Sequence, residues 1–303
     1  MARSERTRPA AVASEAAPRG YHAGVSTWVE IGDRVFVRRY EFYDQNIGVV
    51  LGDGGVLLVD TRSTHVQARE IAADLRMLTG DPVTVVVDTH GHFDHAFGNH
   101  VFRPATIWGQ AGCPPFLVAT AETRRARVAR DEPSLAADLV EVVIDPPDRV
   151  FDTTATLDVG GRPVELRFLG RGHTDHDAVI SIPDADVVFA GDLIEGGNVP
   201  FFNDAYPLDW PDTADALAAL VSGIVVPGHG DHAGRTFAVE QATAIRSVAD
   251  LARRVESGDL GLEDAIALTP YPAFPPEDIR APLKRALAQL RGEVTQVPSR
   301  RPG

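Results

Sequence analysis

Thr89-His90-Gly91-His92-Phe93-Asp94-His95 is the stretch on which the reading of this chain turns. Three imidazoles and a carboxylate fall within the span from His90 to His95. In an extended backbone, side chains two apart share a face, so His90, His92 and Asp94 line up. His95 breaks that parity, and the chain must bend there, most simply into a helix begun near Asp94. Two adjoining groups of donors result instead of one row. Neutral imidazole nitrogen and ionised carboxylate oxygen are what zinc and similar divalent ions bind. Histidines also cap helices, pack or sit on surfaces, but here further donors recur downstream.

The residues on either side explain how the stretch is delivered. Val83 to Val87 is a short β-branched run, read as a strand buried on both faces, with the motif at its C-terminal end. Upstream, Val35-Phe36-Val37, Ile47 to Leu51 and Val56 to Val59 read as strands, with Asp53-Gly54-Gly55 as a hairpin turn and Arg38 to Asn46 as a loop. Asp60 comes directly after a buried run, where a carboxylate needs a partner; it either caps the next helix or turn, or orients the metal loop from behind. Ser63 to Leu78 has the cap, apolar spacing and closing Gly80 of a helix.

Ala105 to Trp108 reads as a further strand, and Cys113 to Ile144 as mainly helical. Arg124, Arg125, Arg127 and Arg130 on that helix form a solvated face, or supply one cation to a substrate carboxylate. Beyond the break at Asp145-Pro146-Pro147-Asp148, Ala155 to Val159 and Val164 to Leu169 form a hairpin around Gly160-Gly161. Three strand-like runs then end on donors: Val164 to Leu169 leads to His173, Val187 to Ala190 to Asp192, and Ile224 to Val226 to His229. Helices are expected near Thr213 to Val221, Arg235 to Glu256 and Pro276 to Leu290. Open sheets place their chemistry beyond the strand ends, and four such ends carry seven donors.

Composition bounds the function. The chain has 303 residues, 44% hydrophobic, with a net charge of -14. That acidity argues against a nucleic-acid binder working through a basic face. Cys113 is the only cysteine, so there is no internal disulfide and no thiolate cage. No run approaches the roughly 18 apolar residues of a membrane span. Residues 1–20 lack the apolar stretch of a secretory signal and read as a disordered tail, with residues 21–303 as one domain. The expected setting is cytoplasmic, with a small-molecule substrate and neither nucleic acid nor membrane as partner.

In order, from about Val25 to His229, these motifs resemble those of the metallo-β-lactamase superfamily of metal-dependent hydrolases, with Asp60 matching the acidic residue after the early strand. The resemblance implies an α/β fold, an αββα four-layer sandwich of two mixed β-sheets flanked by helices. It implies two divalent ions, most simply zinc, with iron or manganese as alternatives. His90, His92 and His173 resemble the ligands of the first, Asp94, His95 and His229 those of the second, and Asp192 the bridge. Two dications about 3.5–4 Å apart bring a bridging water towards a pKa of about 7. The resulting hydroxide would attack an acyl carbonyl, with Asp94 as general base.

Aspartate at 192, where true β-lactamases typically carry Cys or Ser, resembles the glyoxalase II, lactonase and phosphodiesterase branches. The expected function is therefore hydrolysis of a thioester, lactone or related ester. An iron-dependent oxidoreductase like the persulfide dioxygenases, β-lactam or phosphodiester hydrolysis, and a metal-free scaffold are the competing readings. His176 is read as touching substrate, supporting a ligand or lying on the surface. His100 and His232 are read as structural, Asn46 as a turn residue or a pocket neighbour. The aromatic loop Phe201 to Trp210 is read as pocket lining or as core beneath it.

Overall fold

Residues 27–294 are described by the computed structural model; the tail read over residues 1–20 lies outside them. The first half builds β1 (Val29–Gly32), β2 (Val35–Tyr40), β3 (Gln45–Leu51), β4 (Val56–Val59), α1 (His65–Leu78), β5 (Val83–Val87), α2 (Phe93–Ala96), β6 (Thr106–Gln110), α3 (Cys113–Asp131), α4 (Ala136–Val140) and β7 (Arg149–Phe151). The second half builds β8 (Thr154–Val159), β9 (Arg162–Arg167), β10 (Val179–Ile182), β11 (Val187–Gly191), α5 (Trp210–Leu220), β12 (Ile224–Pro227), β13 (Ala233–Gly234), α6 (Arg235–Glu256), α7 (Leu262–Ala267) and α8 (Pro276–Leu290). Strands β1 to β7 form one sheet in chain order, and the other runs β13-β12-β11-β10-β9-β8. Both are mixed: β4, β5, β6 and β7 pair in parallel, as do β11 and β12, while the other pairings are antiparallel.

The layering comes from the two-residue period of the strands. Leu57 and Val59 face the other sheet, whereas Val56 and Leu58 join the layer of Ile71 and Leu75 from α1. In β11, Val187 and Phe189 point between the sheets, while Val188 and Ala190 pack with α5, α6 and α8. A strand apolar on both faces must be covered twice, and the result is helix, sheet, sheet, helix. The sheets approach closely at Gly48, where an added Cβ would lie 2.4 Å from the Phe189 ring.

Helices α6 and α8 have the bounds that periodicity gives, and α1 starts two residues late, behind a Thr64 cap accepting from the Gln67 amide. The loop read over Arg38 to Asn46 is largely strand: β2 runs to Tyr40 and β3 begins at Gln45, joined by a tight turn. Short β7, β10 and β13 carry too few residues for a readable pattern and are specified by their sheet partners. Among the described residues, no helix is long and apolar enough to cross a membrane.

Candidate metal centre

Four chain segments meet at one edge where the sheets face each other. β5 ends in Asp88 and Thr89, then turns through His90 to His92 into α2, for which His92 is the cap residue. β11 ends at Gly191 and gives Asp192; β12 ends at Pro227 and gives His229; the segment after β9 carries His173. β9 and β11 both run antiparallel to β10, so their C-terminal ends lie on the same side. Asn46 of β3 ties the two sheets together there. Its amide side chain donates to the carbonyls of Pro227 (2.9 Å) and Gly230 (2.7 Å).

Six of the seven donors are buried and His229 is half-buried, and they form two adjoining groups that could hold metal ions. His90, His92, His173 and Asp192 make one; Asp94, His95 and His229 make the other, the donor atoms within each lying within 4.8 Å of one another. Asp192 approaches both: its oxygens lie 3.5 Å from Nε2 of His173, His95 and His229, and 3.6 Å from Nε2 of His90. Asp94 Oδ2 lies 3.4 Å from His229 Nε2 and 3.6 Å from His95 Nε2. These separations are long for hydrogen bonds. They approximate the edge, about 3.3–3.4 Å, of a tetrahedron whose centre is about 2.0–2.1 Å from nitrogen and oxygen donors. Asp192 Oδ1 and His173 Nδ1 are buried without a hydrogen-bond partner. A donor set of this chemistry, with an orphaned carboxylate oxygen at its middle, fits divalent cations.

The other nitrogen of each ring decides which one faces inward. His95 Nδ1 donates to Asp60 Oδ2 at 2.8 Å. Asp60 also accepts from the Thr89 amide (2.8 Å) and hydroxyl (2.9 Å), so it does orient the loop from behind. With its own proton on Asp60, the Thr89 hydroxyl accepts from His90 Nδ1 at 3.1 Å. His92 is reversed: Nε2 donates to Asp204 Oδ2 at 3.0 Å, and Nδ1 faces Nε2 of His90 and His173 at 3.0 and 2.9 Å. His229 Nδ1 donates to the Tyr43 carbonyl at 2.6 Å. That carbonyl is aimed by strained backbone. Tyr43 and Asp44 both hold positive φ, 58° and 56°, which costs of order 1–3 kcal/mol per non-glycine residue. The next carbonyl, of Asp44, accepts from the Gly230 amide at 2.9 Å.

Electrostatics divide the two groups. Burial pushes His90 well below the ordinary imidazole value and His173 down to about 3, leaving neutral rings. Burial acts the same way on His95 and His229, but Asp192 and the other carboxylates outweigh it and hold both well above that value. Asp94 is the converse: burial opposes ionisation, and His95 and His229 prevail, bringing its carboxyl to about 2. Gly228 makes room for the shared carboxylate, since a Cβ there would lie 1.8 Å from Asp192 Oδ1.

A cavity of about 270 Å³ opens over the donors, lined by His92, Asp94, Asp192 and His229 together with α3 and the segment after β11. The aromatic loop divides. Phe201 lines the cavity, whereas Phe202 and Trp210 are core. His176 is buried behind the motif, with Nε2 accepting from the Gly91 amide at 3.1 Å. His100 pairs with Asp145 away from the donors.

Three functional neighbours escape sequence reasoning. Asp204 lies in the aromatic loop, but 112 residues from the ring it holds. Glu195, three residues past Asp192, lines the cavity; burial and then the Asp192 charge push its carboxyl up to about 8, while it accepts from the Phe201 amide at 2.8 Å. Tyr43 acts through a backbone carbonyl, which leaves no trace in residue type.

The sequence model of the metallo-beta-lactamase superfamily matches residues 40–229, more than half of the chain and ending on the last donor. The metallo-beta-lactamase IND-1 of Chryseobacterium indologenes is 24% identical over 197 residues, covering 63% of this chain and 74% of that one. A type 2 metallo-beta-lactamase of Bacteroides fragilis is 30% identical over 93 residues, 29% of this chain and only 37% of that relative's length. Among solved structures, the sec-alkylsulfatase Pisa1 from Pseudomonas sp. superposes with a TM-score of 0.71 at 16% identity, covering 88% of this chain and 50% of its own. The metallo-beta-lactamase from Pontibacter korlensis gives 0.60 at 21%, covering 73% and 99%. At such identities the solved structures speak to the fold alone, and the sequence match carries the assignment: the chain belongs to the metallo-beta-lactamase superfamily.

Proposed function

We propose that this protein is a hydrolase holding two divalent metal ions, most simply zinc, and that it cleaves an ester-type bond in a thioester, lactone or related acyl substrate. The observation that carries the reading is the convergence of five imidazoles and two carboxylates, in two adjoining groups, of which His92, Asp94, Asp192 and His229 line one cavity. When bound, such ions supply an activated water at neutral pH and polarise the acyl carbonyl.

The chain's own residues do the rest. Asp94, ionised and facing the cavity, accepts the water's proton at Oδ1, the oxygen not turned towards His95 and His229. Asp192, within reach of both groups, keeps them at a fixed separation. Phe93, Val128 and Phe201 give the cavity apolar walls, which seat an organic acyl group and exclude bulk water. Glu195 lines the same cavity and holds the Phe201 backbone in place by accepting from its amide. The sequence relatives are named as β-lactamases. The carboxylate at 192, in place of the Cys or Ser associated with that activity, supports an ester-type substrate instead.

Elemental analysis of purified protein, followed by a panel of thioesters, lactones, β-lactams and phosphodiesters, tests the proposal. About two zinc ions per chain with turnover of the thioesters or lactones is the expected result. One iron per chain with oxygen-dependent turnover would overturn it, as would exclusive activity on β-lactams or phosphodiesters.

A further inference from the structure

Helix α3 forms one wall of the cavity through Arg124 and Arg127. Both residues, with Phe201, also line an adjoining recess of about 310 Å³. The two spaces therefore form one groove that runs from the donors outward along α3. Residues three apart on a helix share a face, roughly 5–6 Å from each other, so Arg127 stands about one turn from Arg124.

The charges of the two arginines are met differently. Arg124 is committed: it pairs with Asp204, the carboxylate that holds His92, and its guanidinium stacks 5.0 Å over the Phe116 ring. Arg127 makes a single contact, Nε to Asp131 Oδ2 at 3.4 Å, while Asp131 is held more closely by Arg130 at 2.9 Å. One carboxylate shared by two guanidiniums leaves a positive charge over. Nη1 and Nη2 of Arg127, the fork that fits a carboxylate, have no partner among the described residues. Of the cavity's remaining carboxylates, Asp94 and Asp192 are engaged with the imidazoles of the donor groups, and Glu195 accepts from the Phe201 amide. On a chain of net charge -14, a groove with an unneutralised cation beyond apolar Val128 and Phe201 selects for an anion at that point.

We propose that Arg127 is the specificity-determining residue of the groove, and that the acyl substrate carries a carboxylate on an apolar chain which pairs with its guanidinium. This rests on the hydrolase reading and deepens it.

The test compares the phenyl thioesters of hexanoate and of adipate, equal in chain length and differing in a terminal carboxylate, using metal-loaded wild type, Arg127→Gln and Arg127→Lys. The wild type should show a KM at least about tenfold lower for the adipate thioester, the scale of a charge-assisted bidentate contact. Arg127→Gln should abolish that preference by raising KM for the adipate thioester, and Arg127→Lys should keep part of it. Turnover of both thioesters without preference, or a preference that survives Arg127→Gln, overturns the subsite and leaves the hydrolase reading standing. If the metal-loaded enzyme turns over neither, the thioesterase reading fails, and calorimetric binding of adipate decides the subsite. Binding weakened about tenfold or more in Arg127→Gln retains it; equal binding overturns it.

Discussion

The two donor groups share a carboxylate and a cavity but differ in what each must do to take a cation. His90, His92 and His173 form a group in which burial holds His90 and His173 neutral. That group is ready as it stands. Asp94, His95 and His229 instead form an ion cluster, with both imidazoles held above their ordinary value by the carboxylates around them. A cation entering there must displace protons. The supports differ as well. His95 rests on Asp60 and His229 on the strained Tyr43 carbonyl, whereas His92 rests on Asp204, which pairs with Arg124 in the cavity wall. Asp60 reaches both groups, His95 directly and His90 through Thr89, and only the first group is also tied to the wall of the cavity.

The largest expected effect is at the residue that joins them. Asp192→Ala should lower metal content in both groups, with activity falling about a thousandfold or more, read by metal analysis beside turnover. Loss confined to one ion per chain would mean that the two groups are independent. Asp94→Asn removes the base while retaining a ligand oxygen, and kcat should fall about 10²–10⁴-fold. Full turnover with both ions bound would place the proton acceptor elsewhere.

The supporting carboxylates should separate the groups. Asp204→Asn should weaken one ion by about 10–100-fold and Asp60→Asn chiefly the other, with a smaller effect on the first through Thr89 and His90, so that the larger loss falls on a different step of a zinc titration in each. If both variants lose the same step, the division into two groups fails.

A smaller effect concerns pH and the metal-free protein. His173, lowered to about 3, and His90 contribute stability that is present above the ordinary imidazole value, about 6.5, and is lost as pH falls towards their folded-state values. His95 and His229, raised, contribute stability that is fully present below about 6.5 and is lost as pH rises through their folded-state values. The imidazole contribution to the stability of metal-free protein should therefore be greatest near pH 6.5, and saturating zinc should remove its alkaline decline in thermal melts. A metal-free Tm that keeps climbing above that pH would contradict the charged state assigned to the second group.

Much of this is legible in sequence, for identifiable reasons. The seven donors sit at strand ends, where a hydrophobic run stops and a rigid element aims the next side chain, so pattern and position agree. The period of two in β4 and β11 likewise announces sheets covered on both faces. The Arg38 to Asn46 segment is misread because its residues alternate between ladder and partner contacts that involve the distant β12 loop. The split between Phe201 and Phe202 is also invisible, since adjacent aromatic residues give no sign of which one turns inward.

By itself, then, the sequence determined the candidate donors, their order and the architecture that carries them, because metal affinity resides in side-chain chemistry and layering in local periodicity. The tertiary structure alone decided which nitrogen of each ring faces inward, that Asp204, Glu195 and the Tyr43 carbonyl belong to the centre, and that Arg127 keeps an unmatched charge. Each of those depends on what another segment brings within a few ångströms: 112 residues separate His92 from Asp204, and 186 separate His229 from Tyr43. Proximity of that kind is set by the packing of two sheets and is not encoded in any single stretch of the chain.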